Sequence, residues 1–105
     1  MAYFKDLREL ITTLEAQQKL HRITQGTATD NELMPLVRWQ FRGLKEEERR
    51  AFLFESPEKN GKKYDGQVLV ACYAGSRQIY ALGMQCQVEE IYDRWVAAQM
   101  NPIPP

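Results

Sequence analysis

Gly75-Ser76-Arg77 is the stretch of this chain whose residue types and order come nearest to a ligand-binding turn. It follows an apolar run and opens a predicted helix. Backbone N–H groups, a hydroxyl and a guanidinium there could converge on an anion. The same residues also read as a glycine turn, a serine N-cap and a surface arginine. A dinucleotide fingerprint, GxGxxG, is absent. Gly75, Ser76 and Arg77 therefore stand as a candidate anion site, and a small enzyme built on that site is one reading of the chain. The single histidine, His21, lies between Lys19 and Arg22 with no recognisable nucleophile and acid around it, which suits a surface or rim position. Cys72 falls in the apolar run and reads as a small core residue. Cys86 stands at a predicted helix entrance, where a dipole could lower its pKa. Glu46-Glu47-Glu48 could pair carboxylates for acid/base work, but Arg49-Arg50 beside them indicates a solvated face. No catalytic, cofactor-binding or metal-ligating residue is assigned, and the two cysteines form neither a CxxC nor a His/Cys cluster.

These residues must be positioned by one domain, since 105 residues suit one better than two. A chain this size buries roughly two-thirds of its unfolded surface, enough for a modest core. With 44% apolar and 27% charged residues it reads as an ordinary globule. Fourteen Lys+Arg balance fourteen Asp+Glu. That balance argues against a phosphate-gripping nucleic-acid binder and against a polybasic membrane anchor. The start, Met1-Ala2-Tyr3-Phe4-Lys5-Asp6, lacks the apolar core of a signal peptide. The longest apolar run, Val68 to Ala74, is too short to span a bilayer. A reduced, cytoplasmic setting is expected.

Helical spacing of Leu7, Leu10, Ile11 and Leu14 predicts a first helix over Phe4 to Gln18. A short strand, Leu20 to Thr24, and a loop to Asp30 follow. Thr29-Asp30-Asn31-Glu32 reads as a capping box for a second helix from Asn31 to Arg42, with Leu33, Leu36, Val37 and Gln40/Phe41 on one face. Pro35 fits its first turn and Gly43 its end. A polar segment at 45–50, about one helical turn in length, precedes a strand at Ala51 to Phe54. Ser56 to Lys63 is an exposed loop turning at Asn60-Gly61. Gln67 to Ala74 is the strongest strand signal, bounded by Asp65-Gly66 and Gly75. A helix capped by Ser76 runs through Leu82 and ends at Gly83. A last helix spans Gln87 to Gln99, with Val88, Ile91, Tyr92 and Trp95 in register. Phe4, Trp39, Phe41, Phe52, Phe54, Tyr92 and Trp95 are expected in the core, some of them facing a neighbour. The fold class is α/β: a single small domain with a mixed sheet of about three strands and four to five flanking helices. Residues 1–100 form the domain, and Asn101-Pro102-Ile103-Pro104-Pro105 reads as the Pro-rich start of an interdomain linker.

Several segments together resemble the UbiD-type decarboxylases. Tyr3-Phe4-Lys5-Asp6-Leu7-Arg8-Glu9-Leu10-Ile11, then Leu14-Glu15 and Lys19-Leu20-His21-Arg22-Ile23, is similar to that family's opening "Y-x-D-L-R-x-F-L…L-E…G-E-L-x-R-I". Thr29-Asp30-Asn31-Glu32-Leu33 resembles the acidic helix start that follows. Ala51-Phe52-Leu53-Phe54-Glu55 resembles its "ALLFEN" strand. Val68-Leu69-Val70, Gly75-Ser76-Arg77 and Ala81-Leu82-Gly83 resemble its "PVLxNLFGS…R…ALG" block. Gln18 stands where the family's glycine is usual, and Tyr73 where asparagine is. The more charged 42–50 and 57–63 segments also point away from the ubiquinone-pathway branch, toward an aromatic-acid decarboxylase.

The resemblance implies an N-terminal α/β domain of an enzyme that reversibly and non-oxidatively decarboxylates an aromatic or α,β-unsaturated acid. It implies prenylated FMN, a divalent metal (Mn or Mg) and K in the parent enzyme, with none expected on this chain. The family's catalytic Glu-Arg-Glu set belongs to a central domain that this chain does not reach, so this chain alone is expected to be inactive. Its expected partners are the remaining cofactor and C-terminal domains of the same enzyme, itself expected to be a homo-oligomer, with neither nucleic acid nor a membrane span. The alternative is a free-standing small subunit that docks on a separate catalytic chain.

Overall fold

Ala51-Phe52-Leu53-Phe54 is buried at every position, and the rest of the domain is organised around it. The computed structural model describes residues 3–105, so Met1 and Ala2 of the expected domain lie outside the described residues. Among these residues there are four α-helices and two small mixed sheets of three strands each. In the first sheet, Ala51–Phe54 (β3) lies between Leu20–Ile23 (β1), parallel to it, and Val68–Val70 (β6), antiparallel. The parallel pair needs a crossover, and helix α2 (Leu33–Gly43) lies on that connection.

Side chains alternate across a strand, so β3 serves two cores. Ala51 and Leu53 pack with Leu10 and Leu14 of helix α1 (Leu7–Ala16) and Ile79 of helix α3 (Arg77–Met84). Phe52 and Phe54 pack with Leu33 and Val37 of α2. Leu69 joins the first group, Val68 and Val70 the second. The sheet is thus covered on both faces, and that is why β3 reads as an unbroken apolar run. Gln40, buried in α2, holds the entrance of β3: its amide donates to the Arg50 carbonyl and accepts from the Arg50 N–H, both at 2.9 Å.

The second sheet was not expected. Thr27–Ala28 (β2), within the predicted loop, pairs parallel with Pro57–Lys59 (β4), which pairs antiparallel with Lys62–Lys63 (β5). The predicted turn at Asn60-Gly61 is the hairpin tip, with φ of 54° and 76°. Positive φ at both residues matches the twist of a two-residue hairpin.

Other boundaries moved for identifiable reasons. The strand signal over Gln67 to Ala74 yields only three residues, because Ala71 turns left-handed at φ 62° and takes Cys72 to Ala74 out of the sheet. The predicted capping box does not cap α2. The Glu32 carboxylate instead accepts from the Ala28 N–H at 2.9 Å. Gly83 does not end α3; Gln85 does, in the left-handed region. A Cβ on Gly83 would come 2.9 Å from the Tyr73 ring, so the glycine serves close packing. The last helix begins as a 3-10 turn, Val88–Glu90, before helix α4 (Ile91–Met100). Asn101 to Pro105 is exposed and without regular structure.

Two substitutions test the two-faced strand. Phe54→Ala should cost about 3–5 kcal/mol in urea unfolding, because it opens a cavity between the sheet and α2. Gln40→Leu should cost about 1–3 kcal/mol, because it strands the Arg50 N–H and carbonyl at the start of β3. A loss under about 1 kcal/mol in either variant would contradict this packing.

Candidate functional site

The three residues singled out from sequence do meet at one place, the N-terminus of α3. Ser76 is extended, and its hydroxyl accepts from the Ile79 N–H at 3.1 Å, a side-chain N-cap. A Cβ on Gly75 would lie 2.8 Å from the Ala71 carbonyl oxygen, so the tight 71–75 turn requires glycine. Arg77 is not free. The Glu46 carboxylate, delivered by a 3-10 turn at Glu46–Glu48, accepts from the Arg77 N–H at 2.8 Å. It also accepts from Arg77 Nε at 3.0 Å and Nη2 at 2.9 Å. The anion at this helix N-terminus is the chain's own glutamate.

The electrostatics follow. Bonding from the Arg77 side chain, and then from its backbone N–H, holds the Glu46 carboxyl down to about 2. Arg77 is pushed up in return. Glu46 thus departs from the solvated face expected for the 46–48 run, while Glu47 and Glu48 remain exposed. Nothing in the sequence distinguishes Glu46 from its two neighbours, because its partner is 31 residues away.

Beside this pair opens a cleft of about 640 Å3, lined by Arg49, Tyr73, Tyr80, Tyr92 and Trp95 together with residues 74–77. Trp95 Nε1 donates to the Tyr80 hydroxyl at 2.6 Å, which ties α4 to α3. Arg94 donates to the Gln85 carbonyl at 2.7 Å. Sequence reasoning missed Tyr73, Tyr80 and Arg49, which carry no local motif. The core expectation for the aromatics holds for Phe52 and Phe54, with Phe4 half-buried against the first core. It is corrected for Trp39 and Phe41, while Tyr92 and Trp95 also face outward. Tyr92 is 76% exposed, Trp95 46%, Trp39 75% and Phe41 40%. No residue of α4 is buried, because α1, α2 and α3 already cover the first sheet.

The remaining candidates are dispersed. His21, on β1, is half-buried with its ring 5.2 Å from that of Phe52. Burial, and secondarily Arg50, lowers its pKa. Cys72 is half-buried at the edge of the first core rather than within a strand, and burial pushes its thiol up. Cys86 belongs to the exit of α3, not to a helix entrance: its N–H bonds back to the Ala81 carbonyl at 3.0 Å. Arg22 bonds both Glu15 and Glu55 and links α1 to the sheet. Among the described residues no three His, Cys, Asp or Glu side chains converge to hold a metal ion. The Arg77 N–H, Nε and Nη2 donors are engaged by Glu46. Among the described residues no helix is long and apolar enough to cross a membrane.

Because the Glu46 carboxyl is lowered from 4.5 to about 2, its pairing stabilises the fold fully above pH 4.5. That contribution is lost as pH falls through about 2. Glu46→Gln should accordingly unfold at a lower temperature than the unsubstituted chain at pH 7. The gap should close toward pH 2 in a thermal melt series. An equal gap at both pH values would contradict the pairing.

No protein-family model and no curated protein matches the chain. Solved structures do. The vanillic acid decarboxylase of Sedimentibacter hydroxybenzoicus in its open form matches at 24% identity and a TM-score of 0.77, over 100% of this chain and 22% of that one. An evolved dimeric form of the UbiD-class enzyme HmfF from Pelotomaculum thermopropionicum, in complex with prFMN, matches at 28% identity and a TM-score of 0.74. That match covers 96% of this chain and 21% of that one. The chain thus spans about a fifth of the length of these structures. The fold of this chain is therefore similar to a domain-sized part of UbiD-class decarboxylases.

Proposed function

We propose that this chain is the non-catalytic N-terminal domain of a UbiD-type decarboxylase. In this reading residues 1–100 are the domain and 101–105 begin the linker to the rest of the enzyme. The whole enzyme decarboxylates an aromatic or α,β-unsaturated acid reversibly and without net oxidation, in the cytoplasm and as a homo-oligomer. Prenylated FMN, a divalent metal and K are held by its other domains, and no residue of this chain touches the reacting atoms. The chain's part is to buttress the cofactor domain and form one wall of the cleft between domains.

The observation that carries this reading is α4. Its residues Tyr92, Trp95, Val96 and Met100 are exposed, and none of the helix is buried by its own domain. An exposed row of large apolar side chains marks a contact surface. The adjacent cleft, with Tyr73 and Tyr80, extends that surface to α3. Gly75-Ser76-Arg77 is in this reading a helix cap with Glu46 as its counter-anion, and not a ligand seat.

The test expresses the natural reading frame and this chain separately and measures flavin absorbance and CO2 release from aromatic acids after supply of prenylated FMN. This chain alone should hold no flavin and release no CO2. The product of the natural frame should do both, and its intact mass should exceed 12.3 kDa. A natural product of that mass which acts only with a second polypeptide would establish the small-subunit alternative. Turnover by this chain alone would overturn both. Tyr92→Ser with Val96→Asp should leave the fold of this chain unchanged by circular dichroism. The same pair should lower turnover of the assembled enzyme about tenfold or more.

A further inference from the structure

We propose that the outer face of α2 docks an acidic, partly apolar segment of a partner protein through Arg38, Trp39 and Arg42. This face shares no lining residue with the α3–α4 cleft and does not rest on the reading above. Pro35, Arg38, Trp39, Arg42 and Gly43 line an open groove of about 430 Å3. They recur at helical spacing on the side of α2 away from its buried stripe, Leu33, Val37 and Gln40.

Three features of this groove exceed what a solvated helix face needs. Trp39 is 75% exposed, so a large apolar ring stands in water with a proline one turn before it. Arg38 and Arg42 are like charges at i and i+4, a spacing that destabilises a helix. Neither is neutralised: the ion pairs among the described residues use Arg22, Lys59 and Arg77, and α2 itself contains no acid. Arginine and tryptophan at the centre of a patch are the residue types on which interfaces concentrate their energy.

Charge selects the occupant. A second copy meeting this face across a two-fold axis would set guanidinium against guanidinium. A nucleic acid would meet the exposed Glu47 and Glu48 just beyond the end of the helix, on a chain of zero net charge. A protein segment with two carboxylates one turn apart can pair with both arginines. An apolar side chain between those carboxylates would cover the Trp39 ring and Pro35. An acidic amphipathic helix laid along the groove meets these requirements.

The probe is a fluorescein-labelled peptide of repeated Glu-Leu-Leu-Ala-Glu units, titrated with the full chain and followed by anisotropy. Saturable binding is expected. Arg38→Gln with Arg42→Gln should weaken it about fivefold or more, and Trp39→Ala should weaken it further. Circular dichroism of both variants should match that of the unsubstituted chain. Raising salt from about 50 to 300 mM should also weaken it, and the same peptide with Lys for Glu should not bind. Absence of saturable binding up to about 1 mM would overturn the proposal. So would equal affinity of the arginine variants. Equally tight binding of the Lys peptide or of an oligonucleotide, or dimerisation of the chain through this face, would overturn it too.

Discussion

The burial of β3 on both faces is the constraint from which the rest of the domain follows. Alternation along a strand divides its four residues between two cores, and each core needs its own helical cover. Ala51 and Leu53 are served by α1 and α3, Phe52 and Phe54 by α2. The parallel pairing of β1 with β3 then places α2 on the crossover. Gln40 anchors that helix to the strand by bonding both polar groups of Arg50. Once both faces are occupied, α4 has no sheet left to lie on, and its apolar residues remain outside.

Charge plays a positional part. Glu46 joins the turn before β3 to the helix after β6, and Arg22 joins α1 and β1 to the residue after β3. The Glu46 and Glu55 carboxylates are half-buried, so these pairs add modestly to stability and orient what they join. Glu46 also takes the Arg77 N–H, Nε and Nη2 donors at the N-terminus of α3. What is left beside it is an aromatic cleft across which the Tyr80–Trp95 bond ties α4 to α3. A surface of that kind suits contact with another folded unit better than capture of a small anion. The share of the UbiD-class structures that the chain spans, about a fifth, leaves room for such a unit in those proteins.

Legibility in the sequence depended on the range of the interaction. The α1 stripe, β1, β3, the Ser76 cap and the Asn60-Gly61 turn were all readable, because each depends on neighbours within a few residues. The resemblance to the UbiD class was likewise carried by ordered local segments, and the solved structures bear it out. The second sheet was not readable, since Thr27–Ala28 has no strand pattern of its own and forms only against Pro57–Glu58. The early end of β6 was hidden because nothing in Val-Leu-Val-Ala-Cys-Tyr-Ala signals a left-handed alanine.

A small α/β domain, an apolar strand at Ala51 to Phe54 and a helix cap at Ser76 were legible from the chain alone, because periodicity and capping are encoded within one element. That this strand is the central one was not legible there. That Arg77 pairs with Glu46, that Gln40 serves β3, and that Tyr92, Trp95 and Trp39 stand in water is settled by packing between distant segments. Those outcomes depend on which faces remain after three helices and three strands have packed. An apolar stripe shows that a residue can be buried, and the number of faces available decides whether it is.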